Sequence, residues 1–350
     1  MMKKQQKGRF RFGLVGTGRI TDWVLRGARQ DPRFEAAAIC SRSLDKAQAF
    51  AASHAIPKAY GRLEDLLADP EIDAVYIGTP NHTHAPITLD CLAAGKHVLC
   101  EKPLALNAAQ GREMVSAARK AGKVLMEAMI STLSPNWLGV CARVSDIAPL
   151  RRYAASFCQY SSKYDALKQG TVAASFDPLC GGGSLMDIGI YTLWPMVALL
   201  GKPQEVRAHL VTYRIPGRER FAVTDLQGSV ECVYPGLNAT ASWSKIADAF
   251  APTELSGEGG NLLLDKLHIC RHVGFIPHGA PSSGRGKDPV PTDVTIPDEA
   301  DEYFYEFQEF ITCVQEGRES RVNTPDRSVD VLEVMDEIRR QGGVVFPADM

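Results

Sequence analysis

The chain has 350 residues, 45% hydrophobic and 23% charged, which is enough for two domains with sizeable cores. A formal net charge of −2 gives no basic field for nucleic acid or an anionic membrane, and no apolar run reaches the length of a bilayer span. Nine cysteines, odd in number and without a C-x-x-C pair, point to free thiols in a reducing compartment. The opening "MMKKQQKGRFRF" has no apolar stretch of the signal-peptide kind, so residues 1–8 read as a frayed tail and a cytoplasmic location is expected.

"RFGLVG", residues 11–16, reads as a buried strand, and "RITDWVLRGARQ" as a helix turning Ile20, Val24 and Leu25 inward. "FEAAAIC" (34–40) is a second strand, followed by helical "LDKAQAFAASH". A short strand "KAYG", a helix "LEDLLAD" and the strand "IDAVYIGTP" (72–80) come next. Residues 85–95 form a helix stopped by Gly95, and "KHVLCE" is a fifth strand. "NAAQGREMVSAARKAG" is a helix with Asn107 as its N-cap, and "KVLMEAM" a sixth strand. Strands separated by helices imply right-handed crossovers, so residues 9–129 are expected to form a doubly wound α/β domain on a parallel sheet.

From residue 130 to 350 the style changes. After helical "PNWLGVCARVSD", runs such as "LRRYAASFCQYS", "PQEVRAHLVTYRI", "FAVTDLQGSVECVYP", "LNATASWSKIA" and "TELSGEGGNLLLDKLHIC" alternate like strands. Only the helices near 185–200 and 298–317 interrupt or follow them, which predicts an α+β domain with a large, mostly antiparallel open sheet. "HGAPSSGRGKDPVPTD" reads as a loop, and "PDRSVDVLEVMDEIRRQ" as a closing helix stopped by Gly342 and Gly343.

"GLVGTGRIT" follows a strand and opens a helix, the setting of a dinucleotide fingerprint. Gly16 makes the tight turn and Gly18 admits the pyrophosphate. Thr17, Arg19 and Ile20 complete a turn whose amides face the phosphate charge. Thr21 stands where a third glycine or alanine is usual, which leaves a plain strand-to-helix turn as the alternative. At the end of the second strand, "CSRS" offers Ser41 and Arg42 in place of the carboxylate that NAD wants on its ribose. Arg42 can pair with a 2′-phosphate, so NADP is favoured over NAD; a solvated arginine beside Asp45 is the plainer reading. In "GTPNHTH", Thr79, Pro80, Asn81 and His82 come to the carboxyl edge of the sheet as cofactor contacts or helix caps. His82 and His84 have no acidic or sulfur ligand nearby, so no metal is expected.

"KHVLCEKPLAL" ends a buried strand on two charges, Glu101 and Lys102, ahead of Pro103. The proline biases Lys102 toward an extended backbone, which holds it at the strand end; a solvated loop lysine is the ordinary alternative. In "CGGGSLMDIGIY", Gly181 to Gly183 allow a close turn before a helix on which Asp187 and Tyr191 share one face. Gly189 between them leaves room for the nicotinamide or the sheet. A half-buried core tyrosine and an early-helix carboxylate are the plainer readings of that pair.

The order G-x-G, "TPNHTH", "EKP", "GGGSLMDIGIY" resembles the glucose–fructose oxidoreductase and inositol dehydrogenase (Gfo/Idh/MocA) family. It is similar above all to the dimeric dihydrodiol dehydrogenase branch, through "GKHVLCEKPLALNAAQ" and the tail "EGRESRVNTPDRSVDVLEVMDEIRRQGG". The resemblance implies a Rossmann sheet carrying NADP, with Lys102 beside the nicotinamide binding the reacting oxygen and Glu101 orienting cofactor or backbone. It implies Tyr191 as acid/base, its pKa depressed by Lys102, and Asp187 as a substrate contact or a support for Lys102. It also implies a homodimer or larger assembly through the open sheet. The chain departs from the branch at "EAMISTLSPN", where Ile130 and Thr132 replace an aromatic residue and an arginine, which argues against a trans-dihydrodiol substrate. Glu127, Tyr164 and Lys245 fit either the pocket lining or salt-bridge and sheet-surface roles.

The expected function is an NADP(H)-dependent oxidoreductase moving hydride between nicotinamide and a hydroxyl or carbonyl carbon of a sugar, polyol or related small molecule. Two alternatives stand beside it: a redox-neutral enzyme that recycles tightly bound NAD(P), and a non-catalytic NADP sensor.

Overall fold

Strand and helix alternate from the first strand onward in the computed structural model, which describes residues 9–282, 284 and 288–350. Residues 1–8, read above as a tail, and 283 and 285–287 of the glycine-rich loop lie outside the described residues. The strands β1 (Phe10–Val15), β2 (Phe34–Cys40), β3 (Lys58–Tyr60), β4 (Ala74–Ile77), β5 (His97–Glu101) and β6 (Leu125–Ala128) alternate with five helices. These are α1 (Arg19–Ala28), α2 (Leu44–His54), α3 (Leu63–Leu67), α4 (His84–Ala93) and α5 (Ala108–Ala121). The six strands are parallel and ordered β3-β2-β1-β4-β5-β6. All four residues of β4 are buried, because helices cover both faces of a parallel sheet. The order reverses between β1 and β4, which opens a crevice at the carboxyl edge. Ser43 and Asn107 cap α2 and α5 by accepting from the amides of Lys46 and Gln110, at 3.4 and 2.9 Å.

The second half holds α6 (Ile130–Leu133), α7 (Pro135–Arg143), β7 (Leu150–Cys158), α8 (Tyr164–Lys168) and α9 (Ile190–Leu200). Strands β8 (Glu205–Arg214), β9 (Val223–Tyr234), β10 (Leu237–Ser244), β11 (Thr253–Gly257), β12 (Gly260–Leu264), β13 (Val273–Pro277) and β14 (Thr292–Asp293) follow. They form an eight-stranded sheet ordered β14-β13-β12-β11-β7-β10-β9-β8, antiparallel except where β7 meets β10. Two helices close the chain, α10 (Phe304–Glu316) and α11 (Pro325–Gly342).

Three details differ from the sequence expectation. The single run 253–270 folds back at Gly257–Gly260 into two strands, since Gly260 (φ +150°) passes the backbone of Ile276 closely enough that a β-carbon would meet its oxygen at 2.4 Å. The helix expected from 185 opens with a wide π turn, Leu185–Gly189, before α9. The loop 278–293 contains the short edge strand β14.

Buried Trp137, Trp194 and Trp243 anchor the core under the large sheet. The first sheet is sealed from the far end of the chain. Phe307 and Phe310 of α10 pack on Phe12 with ring centroids 5.4 and 5.7 Å away, and Phe307 also meets Phe34 and Tyr76. Each buried phenyl contributes ~1.5–3 kcal/mol, so this seal ties the two halves together.

Candidate active site

Gly16 adopts φ +106°, and a β-carbon there would lie 2.4 Å from the oxygen of Gly78. Only glycine lets β1 turn this close to the end of β4. At Gly18 the situation is opposite: a β-carbon would meet nothing within 4 Å, and the N-terminal amides of α1 have no side-chain cap. Open space in front of uncapped amides fits a pyrophosphate. Thr21, at the third motif position, is fully buried and its hydroxyl donates to the oxygen of Gly16 at 2.9 Å. Threonine therefore braces the turn that a smaller residue would leave slack. Thr17 and Ile20 are half-buried and Arg19 is exposed, its guanidinium 5.9 Å from the ring of Trp23. Ser41 is half-buried; Arg42 is exposed, with no ion-pair partner among the described residues, Asp45 included. Both stand at the end of β2, where the ribose of a bound dinucleotide lies in this sheet order.

Thr79, Pro80, Asn81 and His82 follow β4 at the same edge. Asn81 reaches across to the second half, its amide donating to the oxygen of Gly181 at 2.8 Å. His84 is fully buried, with its ring nitrogens 2.8 Å from the oxygen of Pro103 and 2.9 Å from that of Thr79. It thus fastens the segment after Lys102 to the end of β4.

Lys102 leaves β5 with 15% of its side chain exposed and donates to the main-chain oxygen of Asp187 at 2.7 Å. Its ammonium is 3.7 Å from the Asp187 carboxylate and 4.7 Å from the centroid of the Tyr191 ring. The structure therefore brings together the three residues expected to carry the chemistry, from opposite halves of the chain. Lys245, weighed above against a sheet-surface role, belongs to this cluster: its ammonium is 2.5 Å from Asp187 Oδ2, 3.3 Å from the oxygen of Ser175 and 4.3 Å from the Phe176 ring. Burial opposes charge on Asp187, but the two ammoniums outweigh it and hold its pKa below the usual carboxylate range. Asp187 keeps 39% of its side chain exposed, so one carboxylate edge faces the cleft.

The glycine turn before this helix is fixed on both sides. A β-carbon at Gly181 would strike Leu106 at 2.0 Å, and one at Gly183 (φ +138°) would strike Asp225 at 2.1 Å. Buried Asp225 accepts from the hydroxyl of Ser184 and the amide of Leu185 at 2.5 and 2.7 Å, capping the wide turn that carries Asp187. Gly189 makes room for the sheet, since a β-carbon would lie 2.8 Å from Trp243.

The expectation for Tyr191 is corrected in one respect. Lys102 stands over the face of its ring, and burial, then the carboxylates of Glu101 and Asp187, hold the phenol well above its ordinary value. The phenol stays protonated. Glu101 is buried, accepting from the Tyr76 hydroxyl at 2.7 Å and the Lys102 amide at 3.3 Å, and burial raises its pKa. It braces the strand end instead of facing the cleft. Glu306 of α10 is wholly buried near it, neither carboxylate oxygen has a hydrogen-bond partner among the described residues, and burial and Glu101 push its pKa far up. No sequence signal marks Glu306 or Asp225. Glu127 is structural, holding the amide of Leu104 and the indole of Trp194, both at 2.8 Å. Tyr164 packs near Tyr160 and Phe176, with ring centroids 5.7 and 6.5 Å away.

A missing aromatic at Ile130 does not leave the pocket without rings. Phe157 of β7 lies edge-on to Tyr191, with centroids 5.7 Å apart, and stacks on His268. A surface depression of about 540 Å³ lies elsewhere, on the outer face of the large sheet around Arg207, His209, Ser229, Thr240 and Gln341. It holds none of the residues of the cleft.

Residues 10–129 match the family model described as an oxidoreductase family with an NAD-binding Rossmann fold. The chain is 40% identical over 340 residues to the NADP(+)-dependent scyllo-inositol 2-dehydrogenase IolU of Bacillus subtilis (strain 168), spanning 97% of this chain and 99% of that one. It is 33% identical over 354 residues to the trans-1,2-dihydrobenzene-1,2-diol dehydrogenase of Sus scrofa, spanning 97% and 98%. Among solved structures, the aldose-aldose oxidoreductase of Caulobacter crescentus complexed with glycerol shares the fold with a TM-score of 0.81 at 24% identity, covering 95% of this chain and 97% of that one. The 3-ketoreductase KijD10 of Actinomadura kijaniata, solved with NADP and TDP-benzene, has a TM-score of 0.79 at 24% identity, covering 96% and 98%. With its doubly wound sheet, its open sheet and a lysine and tyrosine meeting between them, the chain belongs to the Gfo/Idh/MocA family of NAD(P)-binding oxidoreductases.

Proposed function

We propose that the protein transfers hydride between NADP(H) and a carbon bearing a hydroxyl or carbonyl group, in a polyol, a sugar or a related small molecule. The observation that carries this reading is the approach of the Lys102 ammonium to the Tyr191 ring, 4.7 Å from its centroid, beside the Asp187 carboxylate. The bound nicotinamide supplies the hydride chemistry. The chain supplies the rest. Lys102 places positive charge where an oxygen becomes anionic. Tyr191, kept protonated, donates its proton to that oxygen in the reductive direction. Asp187 holds Lys102 and Lys245 in register and offers its exposed edge to a substrate hydroxyl.

Gly16, Thr17, Gly18, Arg19 and Ile20 would cradle the pyrophosphate, with Ser41 and Arg42 at the 2′-phosphate and Thr79, Pro80, Asn81 and His82 along the cofactor's length. Residues 9–129 form the cofactor unit in this reading, and residues 130–350 the substrate and assembly unit. The outer face of the large sheet is the surface offered to a second copy. The similarity to an NADP(+)-dependent inositol dehydrogenase over 97% of the chain supports both the coenzyme and the substrate class.

A screen of inositols, sugars and their keto forms, followed by NADPH absorbance, tests the reading. Lys102→Met is expected to lower kcat by about 10²- to 10⁴-fold with NADPH binding retained. Turnover at the wild-type rate in that variant would refute the assignment. An ionic contact of ~1.5–3 kcal/mol at Arg42 predicts NADPH binding about 10- to 150-fold tighter than NADH; tighter NADH binding would overturn it.

A further inference from the structure

His268 sits in the turn between β12 and β13, where no sequence motif points. The turn is rigid. The carboxylate of Asp265 accepts from the amides of Lys266, Arg271 and His272 at 2.7, 3.0 and 3.2 Å. Leu267 and Cys270 are buried on either side of the histidine, and the oxygen of Cys270 accepts from Asn136 at 3.1 Å. The imidazole is thereby held flat on Phe157, with centroids 3.9 Å apart and planes 6° from parallel. Its centroid is 6.1 Å from that of Tyr191, edge-on. Three rings thus wall one side of the space beside Lys102.

Each nitrogen of a half-buried imidazole takes a partner from the protein, from solvent or from a ligand. Here, among the described residues, neither nitrogen of His268 has a hydrogen-bond partner, although the ring is fixed by stacking and by its turn. Burial, with the ammoniums of Lys266 and Lys102 adding to it, pushes the imidazole down to about 4, so the ring is neutral. A neutral imidazole offers one donor and one acceptor. That pair of functions suits a hydroxyl group, which both gives and takes a hydrogen bond.

We propose that His268, held on Phe157, hydrogen-bonds a hydroxyl neighbouring the reacting carbon and so selects substrates that carry adjacent hydroxyls, cyclic polyols in particular. This deepens the proposed function and rests on it for the location of the reacting carbon. His268 acts as a specificity-determining residue, with no part in moving the transferred proton.

The test is calorimetric titration of scyllo-inositol and of cyclohexanol into the protein loaded with NADPH. His268→Ala is expected to weaken inositol binding about 5- to 15-fold, the equivalent of one neutral hydrogen bond of ~1–1.5 kcal/mol. Cyclohexanol and NADPH binding should be unchanged, and His268→Gln, which keeps a donor and an acceptor, should recover most of the inositol affinity. Equal losses for both alcohols, no loss in His268→Ala, or a wild type that does not bind inositol would overturn the proposal. Failure of the proposed function reads differently: His268-dependent inositol binding without any NADP(H) turnover would sink the hydride transfer and leave the hydroxyl contact standing.

Discussion

Lys245→Met tests the charge cluster most directly. The wild-type ammonium has 4% of its side chain exposed and touches Asp187 Oδ2, the oxygen of Ser175 and the face of Phe176. Methionine keeps most of the stem packing and removes the charge. Breaking a fully buried ion pair from one side costs ~3–5 kcal/mol, because the other charge is left uncompensated. Asp187 is only partly buried, at 39% exposure, and Lys102 remains 3.7 Å away as a counter-ion. Water and the second lysine therefore soften the loss, and ~1.5–3 kcal/mol of destabilisation is expected. Asp187→Asn exposes the larger liability, since it strands the buried Lys245 ammonium, and should cost ~3 kcal/mol or more. The double variant removes both charges, so its loss should fall short of the sum of the singles by ~1–3 kcal/mol. Urea denaturation of all four proteins without cofactor gives the comparison, provided the m-values agree. Additive losses, or a Lys245→Met change below about 0.5 kcal/mol, would show that the cluster is not a coupled unit.

Two glycines make a contrasting pair. Gly16→Ala combines a positive φ with a 2.4 Å clash and should destabilise the fold by ~1–3 kcal/mol, whereas Gly18→Ala should leave thermal unfolding of the cofactor-free protein unchanged and weaken NADPH binding by about tenfold or more. Unchanged NADPH affinity in Gly18→Ala would remove the pyrophosphate from that turn. Glu306→Met addresses the buried carboxyl that has no hydrogen-bond partner among the described residues. Its folded pKa is raised above the unfolded value, so the wild type has its full stability at low pH and loses it as pH rises toward the folded value. The variant should be more stable than wild type by ~1–3 kcal/mol at pH 8, with the gap closing near pH 4. Parallel stability profiles would contradict the burial argument.

The parallel sheet was legible because hydrophobic strands and amphipathic helices follow one another within a few residues, so each crossover is a local matter. Lys102 was legible for a similar reason: Pro103 next to it restrains it at a strand end. The cluster around it was not. Asp225, Lys245, His268 and Glu306 reach the site across more than 30 residues from one another or from Asp187, and none sits in a pattern that announces a partner. Tyr191 shows the other limit. Proximity to Lys102 suggested a lowered pKa, but the desolvation of a phenol packed against Phe157 and the fields of Glu101 and Asp187 depend on the assembled interior. The split of the run 253–270 into two strands turned on Gly260 meeting a third strand that the sequence did not single out.

The aromatic seal formed by α10 has a consequence for how the molecule is made. Phe12 and Phe34 leave the ribosome long before Phe307 and Phe310, the rings that cover them. Until α10 is made these phenyl rings lack that cover, and transiently exposed apolar surface of this kind is what chaperones shield. A truncation that removes α10 is therefore expected to destabilise the lobe built on β1 and β2 as well.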